Sequence, residues 1–207
     1  MTSAEYEFTS DWFSDFIEIW DPLIDQFHPQ RMIEIGSFEG RSATYLIERC
    51  AQHGPVELFC IDTWQGGMEH DPTTMGAVES RFDHNIAAAL TRIGGRGRVG
   101  KIKDESNVAL NKLLAADGAE KFDLIYIDGS HQAPDVMADA VLGFQLLKVG
   151  GLMIFDDYLW SIEEEGQQDP LNMPKPAIDA FFNIYQRKMS VLWGIPIVQL
   201  YTKKIAH

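Results

Sequence analysis

"KFDLIYIDGSHQAPDVMADAVLGFQLLKVGGLMIFDDY", residues 121–158, decides the fold. Two short apolar runs, 122–127 and 152–155, each end in acid. The chain between them is long enough for a helix, and helical spacing runs through 133–148. A strand, a helix and a second strand in that order make a βαβ unit, whose strands are parallel. The first run ends at Asp128, with His131 just beyond. The second ends at Asp156 and Asp157. A carboxylate at the end of a buried strand is costly unless it meets a donor or a cation.

The same alternation extends upstream. Strands are predicted at 31–36, 56–62 and 97–104, with helices at 42–54, about 75–92 and 106–118. Downstream, Pro176 near a first turn opens a helix over 176–188. "SVLWG" and "IPIVQLYTKK" then lie back to back with no room for a crossover helix, so the sheet is expected to close antiparallel. The fold class is α/β: a doubly wound, Rossmann-like sheet, mostly parallel with an antiparallel C-terminal strand. Residues 1–207 read as a single domain. Residues 1–30 form a helical N-terminal segment interrupted at Pro22, and 63–92 is an insertion long enough to cover a substrate. In such sheets ligands bind beyond the carboxyl ends of the strands, where the strand order reverses. Every acid noted so far is at such an end.

The bulk numbers narrow the partners. Of 207 residues, 45% are hydrophobic and 23% charged, which suits a core of ordinary size, and the net charge is −14. So acidic a chain repels phosphate backbones and anionic lipid, which argues against nucleic-acid and membrane partners. No apolar run is long enough to span a bilayer. The N-terminus has no basic region, so no signal peptide is expected. Cys50 and Cys60 read as reduced core thiols, in keeping with a cytoplasmic protein. The aromatic residues of 10–28 serve packing or a homo-oligomer contact. His70 with Asp71, Asp83 with His84, and the basic "RIGGRGR" at 92–98 read as solvated polar faces.

"EIGSFEGRSA", 34–43, joins the first strand to its helix. Gly36 and Gly40 permit a tight turn and a close ligand approach, and the helix start favours an anionic group. The pattern is neither GxGxxG nor a P-loop. Glu34, inside the strand, suits a ligand ammonium, and Asp62 at the end of the second strand suits a ribose diol. An amino-acid cation beside one strand and a ribose beside the next describe S-adenosylmethionine (SAM).

Taken together, ExGxxxG, the acid after the second strand, "IDGSH" and "LLKVGGLMIFDD" resemble the class I SAM-dependent methyltransferases over about 31–160. More narrowly they resemble the metal-dependent macrocin and mycinamicin type of sugar O-methyltransferases. The resemblance implies that Gly36, Ser37 and Gly40 line the methionine part, with Glu34 and Ser42 near it. It implies that Asp62 takes the ribose and that Thr63 and Trp64 lie by the nucleoside. Asp104, Glu105 and Ser106 pass the adenine, although Glu105 departs from the small residue common there. Asp128, Asp156 and Asp157 match the metal ligands, with Asp128 also beside the cofactor, and His131 matches the base.

Three converging carboxylates repel one another unless a cation sits between them, and hard oxygen donors favour Mg²⁺, or Mn²⁺ or Ca²⁺, over zinc. A metal would orient and acidify an acceptor hydroxyl, and His131 would take its proton. Each acid alone could equally cap a helix. The function expected is SAM-dependent O-methylation, Mg²⁺-dependent, of a small hydroxylated molecule such as a sugar. The alternatives are a metal-independent methyltransferase, an NAD(P) oxidoreductase and an inactive SAM-binding protein. The oxidoreductase is disfavoured because no Tyr-x-x-x-Lys pair is present.

Overall fold

The computed structural model describes residues 5–68, 70, 71, 73–192 and 198–207. Five strands alternate with helices: β1 (Arg31–Ile35), α2 (Arg41–Cys50), β2 (Val56–Asp62), α3 (Val78–Arg92), β3 (Gly97–Lys103), α4 (Ser106–Asp117), β4 (Phe122–Ile127), α5 (Ala133–Leu146) and β5 (Leu147–Phe155). α1 (Ile17–Phe27) precedes them, and α6 (Pro174–Tyr185), β6 (Met189–Val191) and β7 (Leu200–Lys204) follow. One sheet results, in the order β3-β2-β1-β4-β5-β7-β6. β1 to β5 pair in parallel, and β7 runs antiparallel to β5 and β6. The turn expected between the closing strands, 193–197, lies outside the described residues. The order reverses between β1 and β4, which makes the cleft over those two strands the ligand position.

The period-two alternation of strand side chains divides the core. Met32, Leu58, Leu124, Tyr126 and Ile154 face Trp20 of α1, Leu46 of α2 and Phe82 of α3. Ile33, Ile61, Ile125, Met153 and Phe155 face Leu110 of α4, Phe144 of α5 and Ile178 of α6. Glu34, Asp128 and Asp156 share the parity of the first set. The acids are thereby aimed toward the α1 and α2 side of the rim.

Two expectations for the N-terminal segment need correction. Pro22 does not interrupt α1, which runs through it. Losing one backbone bond there is offset by complete burial of Trp20 and Ile24. The segment is also not helical throughout: residues 5–13 form neither helix nor strand and cross the loop after β1 as a strap. The glycine pair, expected before β5, lies within it. Gly150 has φ +92°, the register shifts between Phe122 and Leu124, and a Cβ on Gly151 would come within 2.9 Å of the Asp123 carbonyl. Cys50 and Cys60 are free and buried. Among the described residues no helix is long and apolar enough to cross a membrane.

Lys204, only 2% exposed, closes the far end of the sheet. Its Nζ donates to the carbonyls of Phe144 and Leu147 at the C-terminus of α5, each at 2.8 Å, and pairs with Glu120 at 2.9 Å. Lys204→Met leaves those carbonyls and Glu120 without their cation. Urea denaturation is expected to show about 2–4 kcal/mol lost, whereas Lys203→Met on the neighbouring position is expected to cost under about 0.5 kcal/mol.

Candidate active site

The rim of the sheet is built by backbone bonds that carry the ladder one residue past each strand. Asp104 N–H donates to Asp62 O at 3.2 Å, Gly36 N–H to Ile61 O at 2.9 Å, Asp128 N–H to Ile35 O at 2.8 Å and Asp156 N–H to Ile127 O at 2.9 Å. The residues following β1, β3, β4 and β5 are thus held in line along one edge with Asp62, the last residue of β2. Gly36 has no room for a side chain: a Cβ there would sit 1.8 Å from Asp128 O, and its φ is +82°. Gly40, at φ +80°, precedes α2, whose first turn has no side-chain cap.

Of the sequence-predicted residues, Gly36, Ser37, Ser42, Asp128, His131, Asp156 and Asp157 line two clefts that share Asp128, whereas Glu34, Gly40, Asp62, Thr63, Trp64, Glu105 and Ser106 line neither. One cleft, of about 420 Å³, is lined by Gly36, Ser37, Phe38, Ser42, Tyr126 and Asp128 below, with Trp12 of the strap above. The other, of about 230 Å³, is lined by Asp128, His131, Asp156, Asp157, Phe155 and Pro174.

Several side chains serve the loop itself. Asp62 accepts from the N–H groups of Ser37 and Phe38, both at 2.8 Å, through one oxygen and from Trp64 N–H at 2.6 Å through the other. Trp64, 5% exposed, donates its indole N–H to Phe38 O at 2.9 Å and packs on Phe82. It therefore lies under the loop. The Thr63 hydroxyl accepts from Gln65 N–H. Glu105 is exposed at the head of α4, and Ser106 opens that helix toward Asp139.

Glu34 is fully buried. One oxygen accepts from the Ser42 hydroxyl at 2.7 Å, and the other has no hydrogen-bond partner within reach. Burial pushes its carboxyl up to about 7, against the pull of the Ser37, Ser42 and Cys60 side chains. Burial likewise raises Asp156 to about 6, and Asp157 adds to the rise. Asp128 is held well above the carboxylate range by burial and then by the charges of Asp156 and Asp157.

Beyond Asp128, His131 Nε2 lies 2.8 Å from Asp157 Oδ2, and Trp160 stacks on the imidazole with ring centres 3.9 Å apart. Asp157 adopts φ +53° to reach it. Asp156 turns the other way, bonded to Tyr126, to Gln199 Nε2 at 2.9 Å and to Asp157 N–H at 2.8 Å. Among the described residues no group of three or more His, Cys, Asp or Glu side chains is arranged to hold a metal. The donors suit a cation chemically, since they are carboxylates whose charges raise Asp128 and Asp156. Asp156 and Asp157 nevertheless spend oxygens on protein partners and diverge.

Other contributors gave no sequence signal, because their partners are distant in the chain. Glu39, 1% exposed, accepts from Thr9 N–H and from Thr9 Oγ1, both at 2.6 Å, and pairs with Arg81, so it ties the strap to the loop. Trp12 and His70 pack against Phe38 at the mouth. The buried Asp139 and Gln199 lie on α5 and just before β7.

Residues 33–158 match the family model described as a methyltransferase domain. The chain belongs to this family. It is a SAM-dependent methyltransferase. No curated protein sequence matched. Among solved structures, the O-methyltransferase TomG of Streptomyces achromogenes, involved in tomaymycin synthesis and bound to SAM, superposes with a TM-score of 0.63 at 14% identity. That match covers 95% of this chain and 82% of the other. An O-methyltransferase from Bacillus cereus, in complex with S-adenosylhomocysteine (SAH), gives 0.64 at 17% identity over 95% of this chain and 84% of the other. At these identities the structures share the fold.

Two measurements check this geometry. Gly36→Ala places a methyl group in the Asp128 backbone, and about 3 kcal/mol or more of stability is expected to be lost. Gly40→Ala comes nearest to the Phe82 ring, at 3.0 Å, with Ile86 at 3.5 Å, and is expected to cost about 1–2 kcal/mol, mostly from its left-handed backbone. For Glu34 the folded state binds its proton more tightly than the unfolded chain. Its contribution is therefore complete at low pH and lost as pH rises from about 4.5 to about 7. Glu34→Gln is expected to remove that portion of the pH dependence, at most about 3 kcal/mol, in denaturation curves collected from pH 4 to 8.

Proposed function

We propose that this enzyme transfers the methyl group of SAM to a hydroxyl of a small molecule. The observation that carries the reading is the juxtaposition, across Asp128, of the glycine-loop cleft and the His131–Asp157 pair. The TomG and Bacillus cereus structures, O-methyltransferases with SAM or SAH bound, support both the donor and the oxygen acceptor. The uncapped start of α2 offers N–H groups to the donor's carboxylate. Glu34 and Asp128 supply negative charge for its ammonium and sulfonium.

His131 is the base of this reading. With Nε2–H donated to Asp157, the basic lone pair is on Nδ1, and Trp160 holds the ring in plane. The acceptor O–H gives its proton to His131 as the oxygen attacks the methyl carbon. The S–CH₃ bond breaks and leaves SAH. The protein's main contribution is to line up oxygen, carbon and sulfur. The acceptor proposed is a sugar or similar polyhydroxylated compound of the macrocin type, taken up by the single domain.

A Mg²⁺-assisted version of the same transfer is favoured by one observation: Asp156 and Asp157 raise Asp128 by their charge. Bound there by Asp128, Asp156 and Asp157, Mg²⁺ would supply a Lewis acid that lowers the pKa of the acceptor hydroxyl.

The test is transfer of labelled methyl from SAM to a panel of sugars and catechols. His131→Ala is expected to lower kcat about 10²- to 10⁴-fold while the KM for SAM stays within about threefold. Wild-type kcat in that variant removes the base assignment. Full activity of EDTA-treated enzyme without added divalent ion removes the Mg²⁺ version and leaves the transfer itself standing.

A further inference from the structure

Asp156 is held by a buried polar chain that begins in the N-terminal helix. The Trp20 indole N–H donates to Gln199 Oε1 at 2.9 Å, and the Tyr201 hydroxyl donates to the same oxygen. Gln199 Nε2 donates to Tyr126 Oη at 3.2 Å and to Asp156 Oδ2 at 2.9 Å. Tyr126 Oη in turn donates to Asp156 Oδ2. Gln199 is 1% exposed, and Trp20, Tyr126 and Tyr201 are no more than 2% exposed. No water is needed to complete the set.

The direction of this chain is fixed by chemistry. An indole N–H only donates, so the amide oxygen must face Trp20 and the amide nitrogen must face the acid. The reverse orientation would set N–H against N–H at Trp20 and oxygen against carboxylate at Asp156, both without water to relieve them. Each hydrogen of the NH₂ group has one acceptor, and both lone pairs of Oε1 are used. The residue has no freedom to turn, and of its two N–H bonds one reaches the rim carboxylate directly and the other reaches it through Tyr126.

We propose that Gln199 is a positioning residue of the transfer site: clamped by Trp20 and Tyr201, it sets the orientation of the Asp156 carboxylate. Oδ2 is thereby committed to protein donors, and Oδ1, which among the described residues accepts from Asp157 N–H alone, is the oxygen left for the cleft shared with Asp128 and His131. The N-terminal helix α1 acts on the site through this chain, and no residue of α1 lines the acid cleft. The proposal rests on the reading of the rim acids as part of the transfer site.

Two variants separate positioning from packing. Gln199→Leu removes both ends of the bond pattern. Gln199→Glu keeps the shape and the Trp20 bond but points an oxygen at Asp156. If the role is orientation, crystal structures of both with SAH show the Asp156 carboxylate turned from its wild-type position. Mn²⁺ titration of the SAH complex then gives a Kd raised about tenfold or more in both. If the residue merely fills space, Gln199→Glu keeps Asp156 in place and binds Mn²⁺ like wild type, and the proposal fails. Should neither variant fold, Trp20→Phe combined with Tyr201→Phe releases Oε1 while leaving Gln199 and an apolar ring at both positions. Multiple Asp156 conformers in that protein support the clamp, and a single wild-type conformer overturns it. SAH affinity within about threefold of wild type shows an intact cleft, and its loss in all variants means general collapse and overturns the assignment. If the wild type binds no Mn²⁺ at 10 mM, the Mg²⁺ version of the mechanism falls, and the Asp156 conformers still decide the role of Gln199.

Discussion

The site depends on how closely β1 and β4 approach at their carboxyl ends. Gly36 turns back over the Asp128 carbonyl with less space than one methyl group requires. That contact brings the loop proposed to meet the donor against the first acid of the cluster proposed to meet the acceptor. It is stabilised from beneath. Asp62 gathers three N–H groups of the loop and of its own strand end, and Trp64 braces the loop from below. A ligand carboxylate or ribose reaching this rim meets a backbone already fixed, which lowers the ordering cost of binding.

Three carboxylates raised by loss of solvent, Glu34, Asp128 and Asp156, lie on this edge; the charges of Asp156 and Asp157 raise Asp128 further, and that of Asp157 raises Asp156. Such an arrangement weakens the fold and is retained where a cationic ligand can relieve it. In the proposed reading, a sulfonium or ammonium satisfies the charge on the Glu34 side. Around Asp156 the protein supplies its own donors, Tyr126, Gln199 and the Asp157 backbone. These partners explain why the acids diverge instead of closing on a single point.

Much of this was legible in the sequence. The alternation of strands and helices gave the sheet, and acids placed one residue past apolar runs gave the rim, because strand ends are set by local pattern. What stayed hidden depends on long-range pairing. Nothing near Asp62 says that its oxygens are taken by the backbone of residues 37 and 38. Nothing near Glu39 announces Thr9 and Arg81, nor does anything near Gln199 point to Trp20. Pro22 misled because the helix interior is judged locally, whereas α1 is held by Trp20 and Ile24 against the sheet. The metal set was inferred from residue types, and orientation, which types do not carry, decides whether three carboxylates converge.

The most direct test of this account is a crystal structure of the complex with SAH. The homocysteine part is expected over Gly36 and Ser37 at the β1–β4 switch, with its sulfur directed toward Asp128 and the His131–Asp157 pair. SAH bound away from the glycine loop, or with its sulfur turned from Asp128, would contradict it.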